Sequence, residues 1–205
     1  MNVALDRFDL PDTDAAQVAL DYAENHEEPA IFRHSVRCYL IGRDLIQDSA
    51  RGEIDDEVLF LACVLHDIGL TVIGNRSQRF ELDGADVAAE HLTGSGLSEA
   101  RLKAVWTAIA LHTTPDIAHR LSPEAGLLSA AAPIDAGVQP GGVPARYRAL
   151  AAQLLPHDGV QQVLLERTFA QTLADPRKAV PFTLPGELHR QMTGQEYVDV
   201  RAMLA

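Results

Sequence analysis

Val64-Leu65-His66-Asp67-Ile68-Gly69-Leu70-Thr71 closes an apolar run that starts at Val58. The run has the composition of a buried helix. Its end is unusual. A helix that buries an apolar face should not drive a histidine and a carboxylate into the same core. Desolvating an unpaired carboxylate costs on the order of several kcal/mol. His66 and Asp67 therefore require an interior partner, and the remaining sequence is read for one.

Helical period extends on both sides of this stretch. Asp14 to Asn25 reads as a short helix, with Asp12, Thr13 and Asp14 as candidate caps. Pro29 opens a helix to about Asp48, and Asp55 caps the one that reaches His66. Gly69 to Arg79 is a turn-rich loop. Asp83 is expected to cap a helix to about Thr93, and Ser98 one to about His112, which Pro115 ends. Ser122-Pro123 opens a helix to about Asp135. After the loop Gln139 to Pro144, helices are expected over Pro144 to Leu155, Gly159 to Ala174, and from Pro185 onward. Only Ala179 to Leu184 has any extended character. The fold class is all-α: a helical bundle with a C-terminal helical extension. Residues 1–28 are expected to pack as an N-terminal helix on a core of residues 29–140, which residues 141–205 complete.

Composition agrees. The 205 residues are 47% hydrophobic but only 5% aromatic, which suits helix packing better than a β-sandwich. The net charge of −12 gives no basic footprint for nucleic acid. No apolar run has the length of a membrane span. Met1 to Pro11 carries Asp6, Arg7 and Asp9 rather than the apolar centre of a secretory signal, so a cytoplasmic location is expected. Cys38 and Cys63 lie in apolar stretches and read as buried thiols. Oligomeric state is open, with a homodimer as one option.

Four helices each carry one polar group on an apolar stripe. Ile31, His34, Cys38, Ile41 and Leu45 share a face; so do Leu59, Ala62, Cys63 and His66. Leu102, Val105, Ile109 and His112 form a third stripe, and Leu128, Ala131 and Asp135 a fourth. Any one of these is ordinary alone: a core histidine with one hydrogen bond, a helix C-terminal charge at His112, an inward aspartate paired with an arginine. Together they point to a shared interior charge, and a divalent transition metal would supply it.

The order His34, His66-Asp67, Asp135 resembles that of the HD-domain metal-dependent hydrolase superfamily. The segments HSVRCYLIGRDL from His34, FELDGADVAAEHL from Phe80 and AIALHTTPDIA from Ala108 are most similar to its cyanamide-hydratase-like branch. The resemblance covers about Pro29 to Gly137. It implies that His34, His66, Asp67 and Asp135 bind one ion (zinc, iron or manganese), with Asp67 also near the water that the ion activates. His112 is then expected to contact substrate or to orient a ligand. Asp67 and His112 form the expected catalytic pair, with Arg37, Asp83 and His112 as candidate substrate contacts. A second ion held by His91 and His112 is a lesser alternative. Asp83 has an equally good reading as a helix cap, and Cys38 and Cys63 as inert core.

Such an ion acidifies water and polarises the group under attack. Two reactions on a small molecule follow: hydration of a cyanamide or nitrile-type carbon, or hydrolysis of a nucleotide or other phosphate ester. The second requires local cations, with Arg33, Arg37, Arg76 and Arg79 as candidates. A catalytically silent ligand-binding module and a purely structural metal are the readings outside catalysis. His26, His119, His157 and His189 are expected at the surface.

Overall fold

Capping side chains set where several of the helices begin. The structure, a computed structural model, describes residues 5–46 and 54–197. Thr13, Asp55, Ser98 and Ser122 accept backbone N–H groups at the starts of α1 (Asp14–His26), α3 (Asp56–Leu65), α5 (Glu99–Leu111) and α7 (Pro123–Asp135). Proline opens α2 (Pro29–Leu45) and α6 (Pro115–Leu121), where its missing N–H is no loss. The remaining helices are α4 (Phe80–Leu92), α8 (Arg148–Leu154), α9 (Val160–Ala174) and α10 (Leu184–Thr193). With no strand among the described residues, the fold is all-α as expected.

Several boundaries differ from the sequence reading. Pro115 does not end a helix; α5 stops at Leu111 and Pro115 starts the short α6. The helix expected to start at Asp83 starts at Phe80, so Asp83 lies in its first turn. The helix expected from Pro144 starts at Arg148. Over Ala179 to Leu184 there is no strand: the chain turns, with Phe182 in the left-handed region at φ 64°, and Leu184 already starts α10. The expected end of α2 at Asp48 lies outside the described residues.

Helix α3 is the centre of the core. Every residue from Val58 to Leu65 is buried, which accounts for apolar side chains all round it. It packs against α1, α2, α5 and α7. Beyond its end the chain makes a 3-10 turn, Ile68–Leu70, against which α4 is laid. That approach requires two glycines. A Cβ on Gly69 would lie 2.0 Å from the Phe80 carbonyl oxygen, and one on Gly84 would lie 3.0 Å from the Gly69 nitrogen. The glycine after His66-Asp67-Ile68 is therefore a packing requirement that fixes where the chain leaves α3.

The C-terminal helices are tied to the same turn. Gln171 Nε2 on α9 donates to the Gly69 carbonyl at 2.8 Å. Lys178 Nζ donates to Asp83 Oδ2 at 2.7 Å, with both side chains buried. Such a pair is stable only because each ion satisfies the other. His189 is buried on α10 near Phe169, not at the surface as expected.

One local interaction gives a pH-dependent test. Asp55 caps α3 and accepts two bonds from Arg101 on α5, which lowers its pKa despite partial burial. A depressed carboxylate pKa contributes stability above the unfolded value of about 4, and loses it as pH falls through the folded value. Asp55→Ala should therefore cost about 1–2 kcal/mol at neutral pH, with the deficit shrinking in acid. Denaturant melts across pH measure this; a deficit that grew on acidification would contradict it.

Candidate metal centre

Two of the helices end in the same device. His66 is the C-cap of α3, and its Nδ1 meets the Cys63 carbonyl at 2.8 Å. His112 is the C-cap of α5, and its Nδ1 meets the Ile109 carbonyl at 2.7 Å. A carbonyl only accepts, so in both rings Nδ1 carries the proton and Nε2 presents a lone pair. At Cys63 the bond also occupies a last-turn carbonyl of the helix, while the Ile109 carbonyl accepts the His112 backbone N–H as well. His34, in the middle of α2, is held instead by a carboxylate: its Nδ1 donates to Asp135 Oδ2 at 2.7 Å.

The three free Nε2 atoms converge on Asp67. Its carboxylate oxygens lie 3.2 Å from His66, 3.7 Å from His34 and 3.8 Å from His112. All four residues are buried. Asp67 Oδ2 is enclosed yet has no hydrogen-bond donor. Imidazole lone pairs facing a carboxylate repel unless a cation lies among them. Donor bonds of about 2.0–2.2 Å allow partners of one ion to stand up to about 4.2 Å apart, which the three distances from Asp67 meet; potential ligand atoms gather within 4.8 Å in two groups that share His66, one with Asp67 and His112 and one with His34 and Cys38. The residues fit a divalent ion.

Charge behaves accordingly. Burial opposes ionisation of Asp67, but the positive charge that the histidines carry when protonated, His66 foremost, outweighs it and holds the Asp67 pKa well below the usual range. Burial alone would depress His66, but the adjacent Asp67 raises it. His112 is pushed down to about 4 by burial and by His66, and His34 is also lowered by burial. Two of the three rings therefore favour the neutral form that ligates metal.

Asp135 stands behind His34 and outside this convergence. Oδ1 accepts from Arg37 Nε and Oδ2 from Arg37 Nη2, both at 2.8 Å. Arg37 is itself fixed by Nη1, which donates to the Leu155 and Pro156 carbonyls. Burial raises the Asp135 pKa, but the bonds from His34 and Arg37 bring it down to about 2.

The HD domain family model matches residues 31–137, just over half of the chain. The chain belongs to the HD-domain family. No curated protein matches it. HD domains are helical and generally metal-dependent hydrolases, and the His and Asp cluster fits a metal site.

The other sequence candidates of this HD domain lie apart from the cluster. Asp83 accepts from the Arg76 and Gln78 backbone nitrogens and from Lys178, and does not line the cavity described below. It is neither the expected cap nor a residue open to substrate. Arg37 likewise faces Asp135 rather than that cavity. His91 stacks on Tyr22 with ring centroids 3.6 Å apart, so no second ion is framed by His91 and His112. Cys38 is the exception: its Sγ lies 3.6 Å from both ring nitrogens of His34 and forms with His34 and His66 a group of potential ligand atoms within 4.8 Å of one another, while burial pushes its thiol pKa well up. His26, His119 and His157 are exposed as expected.

Residues missed by sequence reading complete the HD site. Glu81 is fully buried and accepts from Thr113 Oγ1 at 2.7 Å. It stands in line with Ala85, Ala88 and Leu92 on α4, the same polar intrusion into an apolar stripe that marked His34. A cavity of about 350 Å³ opens from His34, His66, Asp67 and His112. Thr113, Ser129, Thr168 and Gln139 are its polar walls; Leu70, Phe80, Leu164 and Leu184 are among the apolar ones. Among the described residues no lysine or arginine lines it. Helices α9 and α10, beyond the HD match, supply one side.

Arg37→Met should leave the buried Asp135 carboxylate without its guanidinium, held only by the bond from His34. Metal-free protein is then expected to lose about 3–5 kcal/mol of stability in denaturant melts. An unchanged midpoint would mean that Asp135 does not depend on this pair.

Proposed function

We propose that this HD domain is a metal-dependent hydratase or hydrolase that adds water to an electrophilic carbon of a small neutral molecule, of cyanamide or nitrile type. One observation carries the reading: the cavity that ends on the histidine and aspartate cluster has mainly apolar walls and, among the described residues, no lysine or arginine in its lining. A phosphate ester requires positive charge around its non-bridging oxygens. The candidate arginines are engaged elsewhere: Arg33 with Asp158, Arg37 with Asp135, and Arg76 with Glu90, while Arg79 lies 3.9 Å from Glu81. The resemblance to the cyanamide-hydratase-like branch points the same way. Its substrate class is nevertheless an inference from the cavity, since fold alone does not fix function.

In this reading His34, His66 and Asp67 hold the ion. When bound, it lowers the pKa of water and polarises the carbon under attack. The protein does the rest. Leu70, Phe80, Leu164 and Leu184 receive the apolar body of the substrate and limit water to the floor of the cavity. Ser129 Oγ is buried without a hydrogen-bond partner and can bond the polar end of a ligand. Thr113 donates its hydroxyl hydrogen bond to Glu81, so its oxygen presents lone pairs to a substrate N–H. A volume of about 350 Å³ lies within the range of small-ligand sites and exceeds what cyanamide itself fills.

The test is a substrate panel on protein loaded separately with zinc, iron, manganese and cobalt. Hydration of neutral nitriles is expected, with larger apolar nitriles preferred to cyanamide, and no turnover of phosphate monoesters. Phosphate-ester hydrolysis without hydration would reverse the assignment. Stoichiometric metal with no turnover of either class would indicate a ligand-binding module.

A further inference from the structure

We infer that the substrate of this cavity has a small polar head and a hydrocarbon tail, and that the tail leaves through an apolar mouth formed by Val138, Leu165 and Leu184. This deepens the proposed function and rests on it: the head is the nitrile-type group, and the tail is what the residues beyond the HD match select.

The first support is the order of polarity along the cavity. Its polar walls Ser129 and Thr168 are buried, as is the histidine and aspartate cluster. Its exposed lining is mostly apolar. Val138 is 77% exposed, Leu184 50% and Leu165 46%, and Gln139 is the one polar residue among the exposed lining described. A molecule of cyanamide's size, bonded at the closed end, leaves such a mouth unused. Single exposed leucines need no explanation. These three side chains come from separate segments, the loop after α7, α9 and α10, yet line one cavity. An apolar surface assembled in that way marks a binding groove.

The second support is the continuity of the apolar walls. Leu184 and Leu188 stand one turn apart on α10 and both line the cavity, as do Leu164 and Leu165 on α9. Leu70 and Phe80 are the buried part of the same lining. A hydrocarbon chain therefore meets apolar side chains from the mouth to the cluster. The turn that leads into α10 adds to this surface. Phe182, two residues before Leu184, is 78% exposed and holds a left-handed backbone that a bulky residue seldom adopts. Backbone strain of that kind recurs at ligand clamps. With no lysine or arginine in the described lining, a tail that ended in a carboxylate would have no partner there.

The experiment is calorimetric titration of n-alkyl amides, from acetamide to hexanamide, into the full chain loaded with zinc and into the metal-free chain. These amides are the products that hydration of the matching nitriles would give, so binding is read without turnover. Each added methylene that enters the apolar walls should tighten binding about fourfold, and the gain should end once the tail passes the mouth. The same slope is expected without metal, because the tail does not touch the ion. Leu165→Glu, on an exposed part of α9, should weaken hexanamide binding about tenfold or more, because the carboxylate keeps water at the mouth. Affinity that is absent or independent of chain length would overturn the inference, whatever the variant does. Unchanged hexanamide binding in a folded Leu165→Glu variant would overturn it as well. A flat response in a chain that sediments as a dimer, and that Leu165→Glu makes monomeric, would overturn it in favour of a second copy covering the mouth. A chain-length slope without hydration of any nitrile would support the tail site and contradict the hydratase reading; nitrile hydration with a flat response would do the reverse.

Discussion

The structure depends on one electrostatic constraint: a carboxylate, Asp67, is enclosed among three imidazole nitrogens with no donor for its Oδ2. In an apolar interior such a group is costly unless a cation balances it. The helices around it can be understood as supports that keep this arrangement from relaxing. Helix α3 is buried on all sides so that its end is immobile, and Gly69 and Gly84 let α4 close against the turn that follows. The C-terminal helices hold the same turn through Gln171 and Lys178. The site is therefore built on rigid elements, as precise placement of several donors requires.

The supports behind the histidines differ in kind. His66 and His112 use backbone carbonyls of their own helices, which need no further residue. His34 lies mid-helix, where the carbonyls are already engaged in the helical ladder. Its Nδ1 partner must come from elsewhere, and α7 supplies Asp135. That carboxylate would be a buried charge in its own right, and Arg37, one turn along from His34, neutralises it. A single choice of position for His34 thus explains the presence of two further buried ions.

Much of this was legible in the sequence, for a physical reason. Polar residues on apolar stripes are rare enough that His34, His66, His112 and Asp135 stand out by spacing alone, and all four lie in one region of the core. The all-α class followed equally directly from period and caps. What spacing could not give is the atom-level partner. Asp135 reads as inward whether its oxygens meet a metal or an arginine, and Arg37 gives no sign of its own burial. Asp83 looked like a cap because aspartate favours that place, but tertiary pairing with Lys178, distant in sequence, determines its role. The walls of the cavity from α9 and α10, and the burial of His189, arise from long-range packing in segments whose local pattern is merely amphipathic.

The measurement that bears most directly on the centre is elemental analysis of the purified chain beside its His66→Ala variant. About one transition-metal ion per chain is expected in the first, and a loss of most of it in the second, because an ion held by several donors depends on each of them. A variant that kept its full metal content would show that the ion lies elsewhere. A chain that stayed empty after reconstitution with zinc, iron, manganese and cobalt would contradict the metal centre itself, and the convergence on Asp67 would then require a proton as its cation.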